Sequence, residues 1–484
     1  MKLISITIEN FRCIENEIFA IKEIDGGYTY TLIGINETGK SSFLKAISLI
    51  DSEELINYPQ DFYDKTKPVN IKLLYQVEQG DITDLHKAIL EKGFVKELLS
   101  QISIENNNIE VILSFEPIPN SPRQLTEEFE FKTKIFNDYT LSGNTPVKKD
   151  PTQTQDDFDL DDYWKKTFPN FFWEQAHVIT FWKSSNEYLI NERIDLNSFA
   201  ANPKSISVPL KNCFELAKIE DIQTEIEKIR NNPAELRNLQ EKLSDKVTAH
   251  IKSVWPNHPV KIKFQVDNMQ LSFLVEDEGV KYESKTTSQR SDGFRQFISF
   301  LLTVSAESVT KEFSNTLLLL DEPETHLHPQ AQEYLRDELI KITKNKENNI
   351  IFFATHSVFM IDREHLGRCF KLIKIRNKKT KIEQIEEKKT SFAEIIYEVF
   401  GIPTADYHNE LYGHLEEKNK SDLDSLPKNK KWRNKKTGDE ETVSLSKYIR
   451  HAIHHPENTL NKSFTKDELE ESIKVLRQLK YDKS

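Results

Sequence analysis

Hydrophobic and polar positions alternate in the stretch KLISITIENF, which is also rich in β-branched residues. Such alternation predicts a strand with one buried face. The stretch YTYTLIGINETGKSSFLKAISLI changes from a strand pattern to a glycine-bearing loop and then to a helix pattern. Two later runs, TLLLLDEP and NIIFFATHS, begin with uninterrupted apolar residues. Because such runs suit strands that are covered on both faces, they predict a parallel sheet between layers of helices.

Apolar residues recur every three, four or seven positions between residues 217 and 254. This period predicts amphipathic helices, and the stretch Asn231-Asn232-Pro233 interrupts it. We therefore expect a helical hairpin or two short helices that pack against the protein's own body. The apolar positions are Ile219, Ile222, Ile226, Ile229, Leu236, Leu239, Leu243 and Val247.

Other stretches of the chain are strongly polar. Residues 140–162 are acidic and contain proline, and we expect a flexible loop there. Past residue 385, SFAEIIYEVFGI predicts a helix, KNKSDLDSLPKNKKWRNKKTGDEE a charged loop, and TKDELEESIKVLRQL an amphipathic helix. This change of character places a domain boundary near residue 385.

Length and charge narrow the class of protein. The chain has 484 residues, enough for two or three domains, and 30% of them are charged. The formal net charge of −12 argues against a surface that is basic throughout, although a local basic groove is compatible with it. The three cysteines form no C-x-x-C pair, which disfavours a zinc knuckle or a disulfide framework. Neither a signal peptide nor an apolar run of ~18 residues stands out, so we expect a cytoplasmic protein.

The stretch GINETGKSS fits the phosphate-loop pattern G-x-x-x-x-G-K-[ST], and it lies between a predicted strand and a predicted helix. Its glycines let backbone N–H groups surround a phosphate chain at a helix N-terminus. We expect Lys40 to reach the β- and γ-phosphates of ATP and the Ser41 hydroxyl to bind Mg²⁺. The expected ATP-binding residues of this loop are Gly34, Asn36, Gly39, Lys40, Ser41 and Ser42.

Two adjacent acids, Asp321 and Glu322, end the apolar run TLLLL. We expect Asp321 to hold Mg²⁺ and Glu322 to polarise the attacking water, since one carboxylate serves the metal while the other accepts the proton. Lys40 and Asp321 are 281 positions apart (321 − 40 = 281), so a large insertion separates two halves of one site. His326 and His328 have the spacing of a metal pair, but we interpret them as loop structure.

Together these motifs resemble those of the SMC/RecF/OLD class of ABC-type ATPases. That class opens with a strand like ITIENFR and carries a Ser-x-Gly signature, here Ser291 and Gly293 in SDGFRQFISFLL. A loop like DEPETHLHP follows the acid pair, and an isolated histidine ends the next strand, here His356 in FFATHS. The motifs cover roughly residues 1–60 and 285–360.

The resemblance implies an α/β fold of the P-loop NTPase type. We expect an ABC-type ATPase head, with a mixed β-sheet lobe and a helical lobe, plus a short helical insertion and a mainly helical C-terminal accessory domain. The head would comprise residues 1–213 and 257–384, the insertion residues 214–256, and the accessory domain residues 385–484.

The same resemblance implies a homodimer or higher homo-oligomer that sandwiches two ATP molecules. Ser291 and the N–H of Gly293 would contact the γ-phosphate held by the other subunit, and His356 would sense it. Thr325 and His326 would lie at the dimer seam. The implied catalytic residues are Glu322, His356 and Lys40, and the implied Mg²⁺ ligands are Ser41 and Asp321.

Several residues of the head keep alternative interpretations. Arg12 either reaches the nucleotide or pairs on the surface. The glutamine that this class places near the γ-phosphate is not clear from the sequence, with Gln60 and Gln76 as weak candidates.

The C-terminal region offers two further features. A basic run around Trp432 either contacts nucleic acid or is a solvated loop. Arg450 and His455 have the R-x4-H spacing of HEPN ribonucleases, whereas packing or capping of a helix by His454 and His455 is the plainer interpretation. Asp422 and Asp424 lie in a polar stretch that does not fit a Toprim nuclease.

The chain therefore resembles a stand-alone ATPase head, similar to the ATPases of prokaryotic anti-phage systems such as Septu and PARIS. The leading hypothesis is an ATP-dependent scaffold and sensor that controls a separate effector, a nuclease or a toxin. The alternative is a RecF-like DNA-repair ATPase that clamps DNA. A self-contained nuclease and a transporter subunit fit the sequence less well.

Overall fold

The chain divides into two compact units. In the computed structural model the first unit is Met1–Asp362 with Arg368–Gln384, and the second is Arg363–Gly367 with Ile385–Ser484. The structure describes residues 1–481 apart from 53–55, 95, 105–106, 129–130, 168–172, 174, 184–187, 255–259, 278, 280–283, 290–291, 305–314, 326, 345–347, 376–378 and 387–389.

The strands of the first unit are β1 (Lys2–Phe11), β2 (Ile14–Ala20), β3 (Thr29–Ile33), β4 (Val69–Gln76), β5 (Asn108–Phe115), β6 (Gln124–Glu128), β7 (Ile135–Phe136), β8 (Tyr139–Ser142), β9 (Thr145–Lys148), β10 (Phe158–Asp159), β11 (Val178–Lys183), β12 (Ile194–Asp195), β13 (Val260–Asp267), β14 (Gln270–Asp277), β15 (Lys285–Thr286), β16 (Thr316–Asp321), β17 (Ile350–Thr355), β18 (Cys369–Lys374) and β19 (Thr380–Gln384).

The α-helices of the first unit are α1 (Lys40–Ser48), α2 (Gln79–Glu91), α3 (Lys96–Leu99), α4 (Leu160–Thr167), α5 (Leu196–Ala201), α6 (Pro203–Ile206), α7 (Val208–Leu216), α8 (Ile222–Ile229), α9 (Pro233–Val254), α10 (Asp292–Val304) and α11 (Pro329–Lys344). The second unit contains α12 (Phe392–Phe400), α13 (Ala405–Lys418), α14 (Lys420–Asp424), β20 (Lys428–Arg433), β21 (Glu440–Ser444), α15 (Leu445–His454) and α16 (Lys466–Tyr481).

A mixed sheet lies at the centre of the first unit, in the order β11-β16-β17-β3-β18-β19. All neighbouring pairs are parallel except β18 and β19, which are antiparallel. A second sheet, β2-β1-β4-β5-β6, is antiparallel throughout, and β12, β14, β13 and β15 form a third. The expected α/β architecture with a mixed sheet is therefore confirmed.

The uninterrupted leucines of β16 serve two hydrophobic cores. Leu317 and Leu319 pack with α1 and the antiparallel sheet in one core. Leu318 and Leu320 pack with α9, α10 and α11 in the other. Because successive side chains of a strand point to opposite faces, a strand between two cores needs apolar residues at every position.

The helical stretch of residues 217–254 is part of the second core. α8 and α9 are separate helices, and the break falls at Asn231 and Asn232, as the sequence predicts. Leu239, Leu243 and Val247 are buried there, so the apolar stripe packs on the protein's own body. The Thr248 hydroxyl also exchanges hydrogen bonds with the backbone of Ile262 in β13.

Two expectations about polar stretches are wrong. Residues 140–162 are not simply a loop, since β8 and β9 pair there and β10 and α4 follow. Buried Tyr139 and Phe158 fix this segment in the first core. The charged stretch in the second unit is a hairpin of β20 and β21, because Trp432 and Val443 are buried on one of its faces.

The second unit has its own hydrophobic core. Side chains of α12, α13, α15 and α16 form it, with Leu411, Leu415, Ile449, Ile473 and Leu476 among those fully buried. None of the described helices is both long enough and apolar enough to cross a membrane.

Candidate nucleotide-binding site

Three adjacent strands of the central sheet end at the same edge. Asp321 at the end of β16 is in register with Ala354 of β17, and Thr355 of β17 is in register with Ile33 of β3. Carboxyl ends of parallel strands meet at one edge of a sheet, where α/β proteins bind their ligands. The topology therefore brings together the loops after residues 33, 321 and 355, although they lie far apart in sequence.

The loop after β3 has the geometry of a phosphate cradle. Gly39 adopts a φ of +102°, a conformation that favours glycine, immediately before α1. A Cβ atom at Gly39 would lie 2.7 Å from Thr380 Oγ1 and 2.8 Å from Cys13 Sγ. A Cβ atom at Gly34 would lie 2.7 Å from the Leu372 carbonyl oxygen, so both glycines are required by space.

Lys40 lies over this loop. Its Nζ donates hydrogen bonds to the carbonyl oxygens of Gly34 at 2.9 Å and Ile35 at 3.1 Å. Burial lowers the pKa of Lys40 to about 8, and the carboxylates of Glu322, Asp321 and Glu324 oppose that shift. A partly desolvated ammonium close to several carboxylates is suited to exchange its carbonyl partners for phosphate oxygens.

Ser41 and Asp321 form a direct pair across the site. The Ser41 hydroxyl donates to Asp321 Oδ1 at 2.9 Å, joining the first turn of α1 to the tip of β16. Burial raises the pKa of Asp321, while the Ser41 hydrogen bond and the charges of Lys40 and Lys183 lower it. A hydroxyl and a carboxylate are the hard oxygen ligands that Mg²⁺ prefers, so this donor set fits that ion.

Glu322 and His356 form a second pair. His356 Nε2 lies 3.3 Å from Glu322 Oε1. Glu322 has a φ of +52°, and its N–H donates to the Ala354 carbonyl at 3.0 Å, which fixes its backbone against β17. Burial, followed by the charge of Lys40, lowers the pKa of His356, whereas Glu322 raises it. The pair places a carboxylate beside an imidazole at the sheet edge.

Glu324 is a site residue that the sequence did not single out. Its side chain is buried, and Oε1 accepts hydrogen bonds from the Thr355 hydroxyl and from the His356 N–H at 3.2 Å. Burial raises the pKa of Glu324 to about 7. Glu324 therefore joins the turn after β16 to the end of β17 and holds the backbone of His356. The sequence feature that could have indicated its role is that Glu324 is the second glutamate of the stretch DEPET.

Lys183 is another residue that the sequence did not single out. It ends β11, the other neighbour of β16, and is in register with Asp321. The run VITFWK is short and lacks a glycine-rich loop beside it, so only the strand order reveals its place.

The signature region is described in part. Gly293 lies in the first turn of α10, and the buried Gln296 amide is 3.4 Å from the Glu322 carbonyl. Ser291 and His326 lie outside the described residues. The Thr325 hydroxyl donates to the Glu322 carbonyl at 2.9 Å and so stabilises the turn.

The remaining residues of the phosphate loop and its surroundings have simple positions. Asn36 is exposed in the loop, and Ser42 is half-buried in α1. Arg12 Nε donates to Asp61 Oδ1 at 2.7 Å, so its guanidinium is held in an ion pair with a buried carboxylate. Gln76 pairs with Lys2 in the antiparallel sheet, and Gln60 is exposed in the turn before Asp61.

In the second unit, Arg450 and His455 have different partners. The Arg450 guanidinium lies 5.0 Å from the ring centroid of Tyr412 and 3.5 Å from Glu416 Oε2. His455 Nδ1 lies 3.5 Å from Glu457 Oε1. Despite the R-x4-H spacing, Arg450 and His455 therefore have no contact partner in common among these described residues.

Trp432 is 7% exposed and stacks on His451 with ring centroids 5.3 Å apart. Neighbouring lysines pair within the unit, Lys430 with Glu468 and Lys431 with Glu440. Because the indole is covered, it is not an open platform for a nucleobase.

A model of the AAA ATPase domain family matches residues 1–361. The Old nuclease of Escherichia phage P2 is 23% identical over 430 residues, which cover 84% of this chain and 66% of that protein. The uncharacterized protein MJECL43 of Methanocaldococcus jannaschii is 28% identical over 139 residues, which cover 28% of this chain and 35% of that protein.

The chain thus spans less than two thirds of the length of these relatives. Among solved structures, an SMC head bound to the C-winged helix domain of ScpA aligns with a TM-score of 0.42 at 11% identity, covering 80% of this chain and 99% of that one. The family match comprises 361 of 484 residues and contains the phosphate loop, the acid pair and His356. The chain therefore belongs to the AAA ATPase domain family.

Proposed function

We propose that this ATPase closes as a dimer around ATP and acts as a scaffold and sensor that controls a separate effector, a nuclease or a toxin, in anti-phage defence. The observation that carries the ATPase part is the convergence of the Ser41–Asp321 pair and the Glu322–His356 pair at one sheet edge. Nucleotide hydrolysis needs ligands for a metal ion and groups that position the attacking water. The hydroxyl–carboxylate pair suits the first role, and the carboxylate–imidazole pair suits the second.

Binding of ATP begins at the phosphate loop. The phosphate loop leads directly into the N-terminus of α1, whose dipole favours negative charge. Lys40 leaves the carbonyl oxygens of Gly34 and Ile35 and donates to the β- and γ-phosphates. Its side chain already lies in the loop, so a change of partners rather than a long displacement is needed.

Ser41 and Asp321 would hold Mg²⁺, which supplies charge neutralisation at the phosphates. The raised pKa of Asp321 favours a cation beside it, because a buried carboxylate is stabilised by a nearby positive charge. In this arrangement the Ser41 hydroxyl turns its oxygen lone pairs, rather than its hydrogen, toward the cation.

Glu322 accepts the proton of the attacking water. The water oxygen forms a bond to the γ-phosphorus, the bond to the ADP oxygen breaks, and the water proton moves to the Glu322 carboxylate. His356 is 3.3 Å from that carboxylate and orients it toward the γ-phosphate. The lowered pKa of His356 favours the neutral ring, which can donate one hydrogen bond and accept another.

The proposed dimer is based on the signature residues that precede and begin α10 in the sequence. In this proposal the signature residues Ser291 and Gly293 contact the γ-phosphate of the second subunit. The contact of Gln296 with the Glu322 carbonyl would link the signature helix to the acid pair of the same chain. Closure would then depend on the triphosphate, which makes assembly a readout of ATP.

The control of an effector is supported by two observations. The relative that matches most of this chain is named a nuclease, and this chain spans 66% of it. The second unit has its own core and lies beyond the family match, so it is a candidate surface for a protein that is specific to this system. Because Arg450 and His455 have separate partners, we assign the effector activity to another protein.

The test combines ATP hydrolysis with solution mass for the full chain, with and without short duplex DNA. Glu322→Gln is expected to bind ATP, to form a stable ATP-dependent dimer, and to lose hydrolysis by roughly 10²- to 10⁴-fold. Glu338→Gln, which removes an exposed carboxylate of α11, is the matched control and should behave as wild type.

The outcome also decides between scaffold and clamp. Hydrolysis and dimerisation that are independent of DNA would support the scaffold. Severalfold stimulation by DNA, with duplex retained by the ATP-locked Glu322→Gln dimer, would instead support the RecF-like clamp. A Glu322→Gln chain that hydrolyses ATP at the wild-type rate would contradict the assigned chemistry.

A further inference from the structure

The carboxyl end of β11 lies beside the metal-binding end of β16. The two strands are parallel, and their register runs from Val178 opposite Thr316 to Lys183 opposite Asp321. Neighbouring strands are ~4.8 Å apart, and a lysine side chain is long enough to span that distance. The last residue of β11 is thus a cation placed next to the carboxylate assigned to Mg²⁺.

The face on which Lys183 lies is set by its neighbours in β11. Trp182 is fully buried in the second core, together with the leucines of β16 whose side chains face that same core. Phe181 packs against the first core, and its ring centroid is 5.9 Å from Lys45 Nζ of α1. Side chains alternate along a strand, so Lys183 shares the α1 face with Phe181.

Asp321 lies on that same face, because its carboxylate accepts the hydrogen bond of Ser41 in α1. The charge of Lys183 acts on Asp321 and lowers its pKa. Strand register, core assignment and electrostatics therefore agree that Lys183 is beside the phosphate end of the site, on the side of β16 away from His356.

We propose that Lys183 is a second phosphate-binding cation of the ATP site, which contacts the γ-phosphate and makes the site prefer ATP to ADP. This inference rests on the proposed nucleotide site and adds a residue to it. An ammonium group has no acceptor and is not a metal ligand. A divalent cation at Asp321 would repel the Lys183 ammonium, whereas the phosphate oxygens that enter the site with ATP are strong acceptors for it.

Charge balance in the site favours the same assignment. Asp321 and Glu322 place two carboxyl groups at the sheet edge, and the Lys40 ammonium lies near them in the phosphate loop. Lys40 approaches the phosphate chain from the side of β3, whereas Lys183 approaches from β11, at the other end of the β3-β17-β16-β11 row. Two cations on opposite sides can grip a terminal phosphate that ADP lacks.

The experiment measures dissociation constants for ATP and for ADP, both with Mg²⁺, in the full chain carrying Glu322→Gln to prevent turnover. Lys183→Met is expected to weaken ATP binding roughly tenfold to hundredfold, the strength of a charged hydrogen bond, and to change ADP binding less than about twofold. Lys183→Arg should restore most of the preference for ATP.

Lys45→Met is the matched control. Lys45 lies on the same face near Phe181, but in the last turn of α1 rather than at its phosphate end. Both nucleotide affinities should stay within about twofold of the parent. Equal weakening of ATP and ADP by Lys183→Met would show that Lys183 only balances Asp321, and would overturn the proposal, as would no change at all.

A second measurement needs no substitution at Lys183. Amine acetylation of the Glu322→Gln chain, followed by mass spectrometry, should show Lys183 protected by Mg-ATP and much less by Mg-ADP, with Lys45 unaffected. Equal labelling of Lys183 with both nucleotides would contradict the inference. If the parent chain binds neither nucleotide, the proposed ATP site itself fails, which is distinct from a site that binds both without preference.

Discussion

The buried carboxyl group of Glu324 forms hydrogen bonds with the backbone and the side chain that position His356. Its side chain is 4% exposed, and one oxygen serves the Thr355 hydroxyl and the His356 N–H. Within the described part of the chain the other oxygen has no hydrogen-bond partner. Loss of solvation is therefore only partly replaced, and burial raises the pKa of this acid from 4.5 to about 7.

This raised pKa predicts a pH dependence of stability. The folded state holds the Glu324 proton more tightly than the unfolded state, so the stabilisation is complete below pH 4.5 and is lost as the pH rises through about 7. The loss amounts to about 3 kcal/mol of the free energy of unfolding. Glu324→Gln should remove this part of the slope between pH 5 and pH 8.5.

Denaturant unfolding without nucleotide, at several pH values, checks the prediction. Glu338→Gln, an exposed substitution, should keep the wild-type slope and serves as the control. Equal slopes for wild type and Glu324→Gln would show that Glu324 does not hold a proton near neutral pH.

Gly39 gives a second prediction at the scale of one residue. Gly39→Ala places a methyl group 2.7 Å from Thr380 Oγ1 and 2.8 Å from Cys13 Sγ, at a φ of +102°. We expect a loss of ~1–3 kcal/mol in the free energy of unfolding and at least tenfold weaker ATP binding, because the cradle must change shape. Gly143→Ala has a φ of +65° and no neighbour within 4 Å, so it should cost only backbone strain.

Calorimetry and nucleotide titration on the two variants separate the effects. Gly143→Ala should lose about 1 kcal/mol in stability and keep the wild-type affinity for ATP. Normal ATP affinity in Gly39→Ala would mean that the loop does not need its present conformation to hold phosphate.

At the scale of elements, β19 supports the phosphate loop from the edge of the central sheet. The Thr380 hydroxyl donates to the Thr38 carbonyl at 2.8 Å, and the Thr380 N–H donates to the Cys13 carbonyl at 2.8 Å. Thr380 is fully buried, so its hydroxyl has no competing water. One residue thus joins the start of β19, the loop between β1 and β2, and the phosphate loop.

Thr380→Val tests this support. The change keeps the shape of the side chain but leaves the Thr38 carbonyl without its donor, so we expect a loss of about 1–3 kcal/mol in the free energy of unfolding and weaker ATP binding. Thr126→Val is the control. Thr126 is exposed on β6, and its hydroxyl lies 3.5 Å from the Ile112 carbonyl oxygen of β5, so this hydrogen bond is weak and open to water. The control should stay within about 0.5 kcal/mol of wild type, and a similar result for Thr380→Val would exclude the support.

The elements that the sequence predicted are those whose pattern has a single cause. The four leucines of β16 are buried on both faces, and an uninterrupted apolar run is typical of a strand covered on both faces. The phosphate loop was predicted because close backbone approach limits its residues to glycine at two positions. Glu324 and Lys183 were missed because their importance depends on which strands are neighbours, and that order is a property of the whole sheet.

The hairpin of β20 and β21 was missed for a different reason. Nearly all of its residues are charged or polar, and its buried residues are Trp432, Val443 and Ser444. Ion pairs such as Lys431 with Glu440 lie across the hairpin and offset the like charges along each strand. A local pattern does not reveal such a strand, because cross-strand partners decide it.

At the scale of the whole molecule, the two units have separate hydrophobic cores. The first unit holds the phosphate loop, the acid pair and His356, whereas α12, α13, α15 and α16 form the core of the second. The nucleotide site is thus built within one unit, and nucleotide binding is expected to stabilise that unit directly.

Calorimetric unfolding should therefore show two transitions, one that responds to nucleotide binding and one that responds to a substitution in the second unit. Mg-ATP at 100 times its dissociation constant, added to the Glu322→Gln chain, should stabilise the first unit by about 2.7 kcal/mol and leave the other transition in place. Gly413→Ala should stabilise the second unit by ~0.5–1 kcal/mol, because Gly413 lies within α13 and an added Cβ meets no atom within 4 Å. A single transition that moves with both changes would show that the two units unfold together. ATP binding would then also stabilise the second unit, which we propose as the surface for the effector.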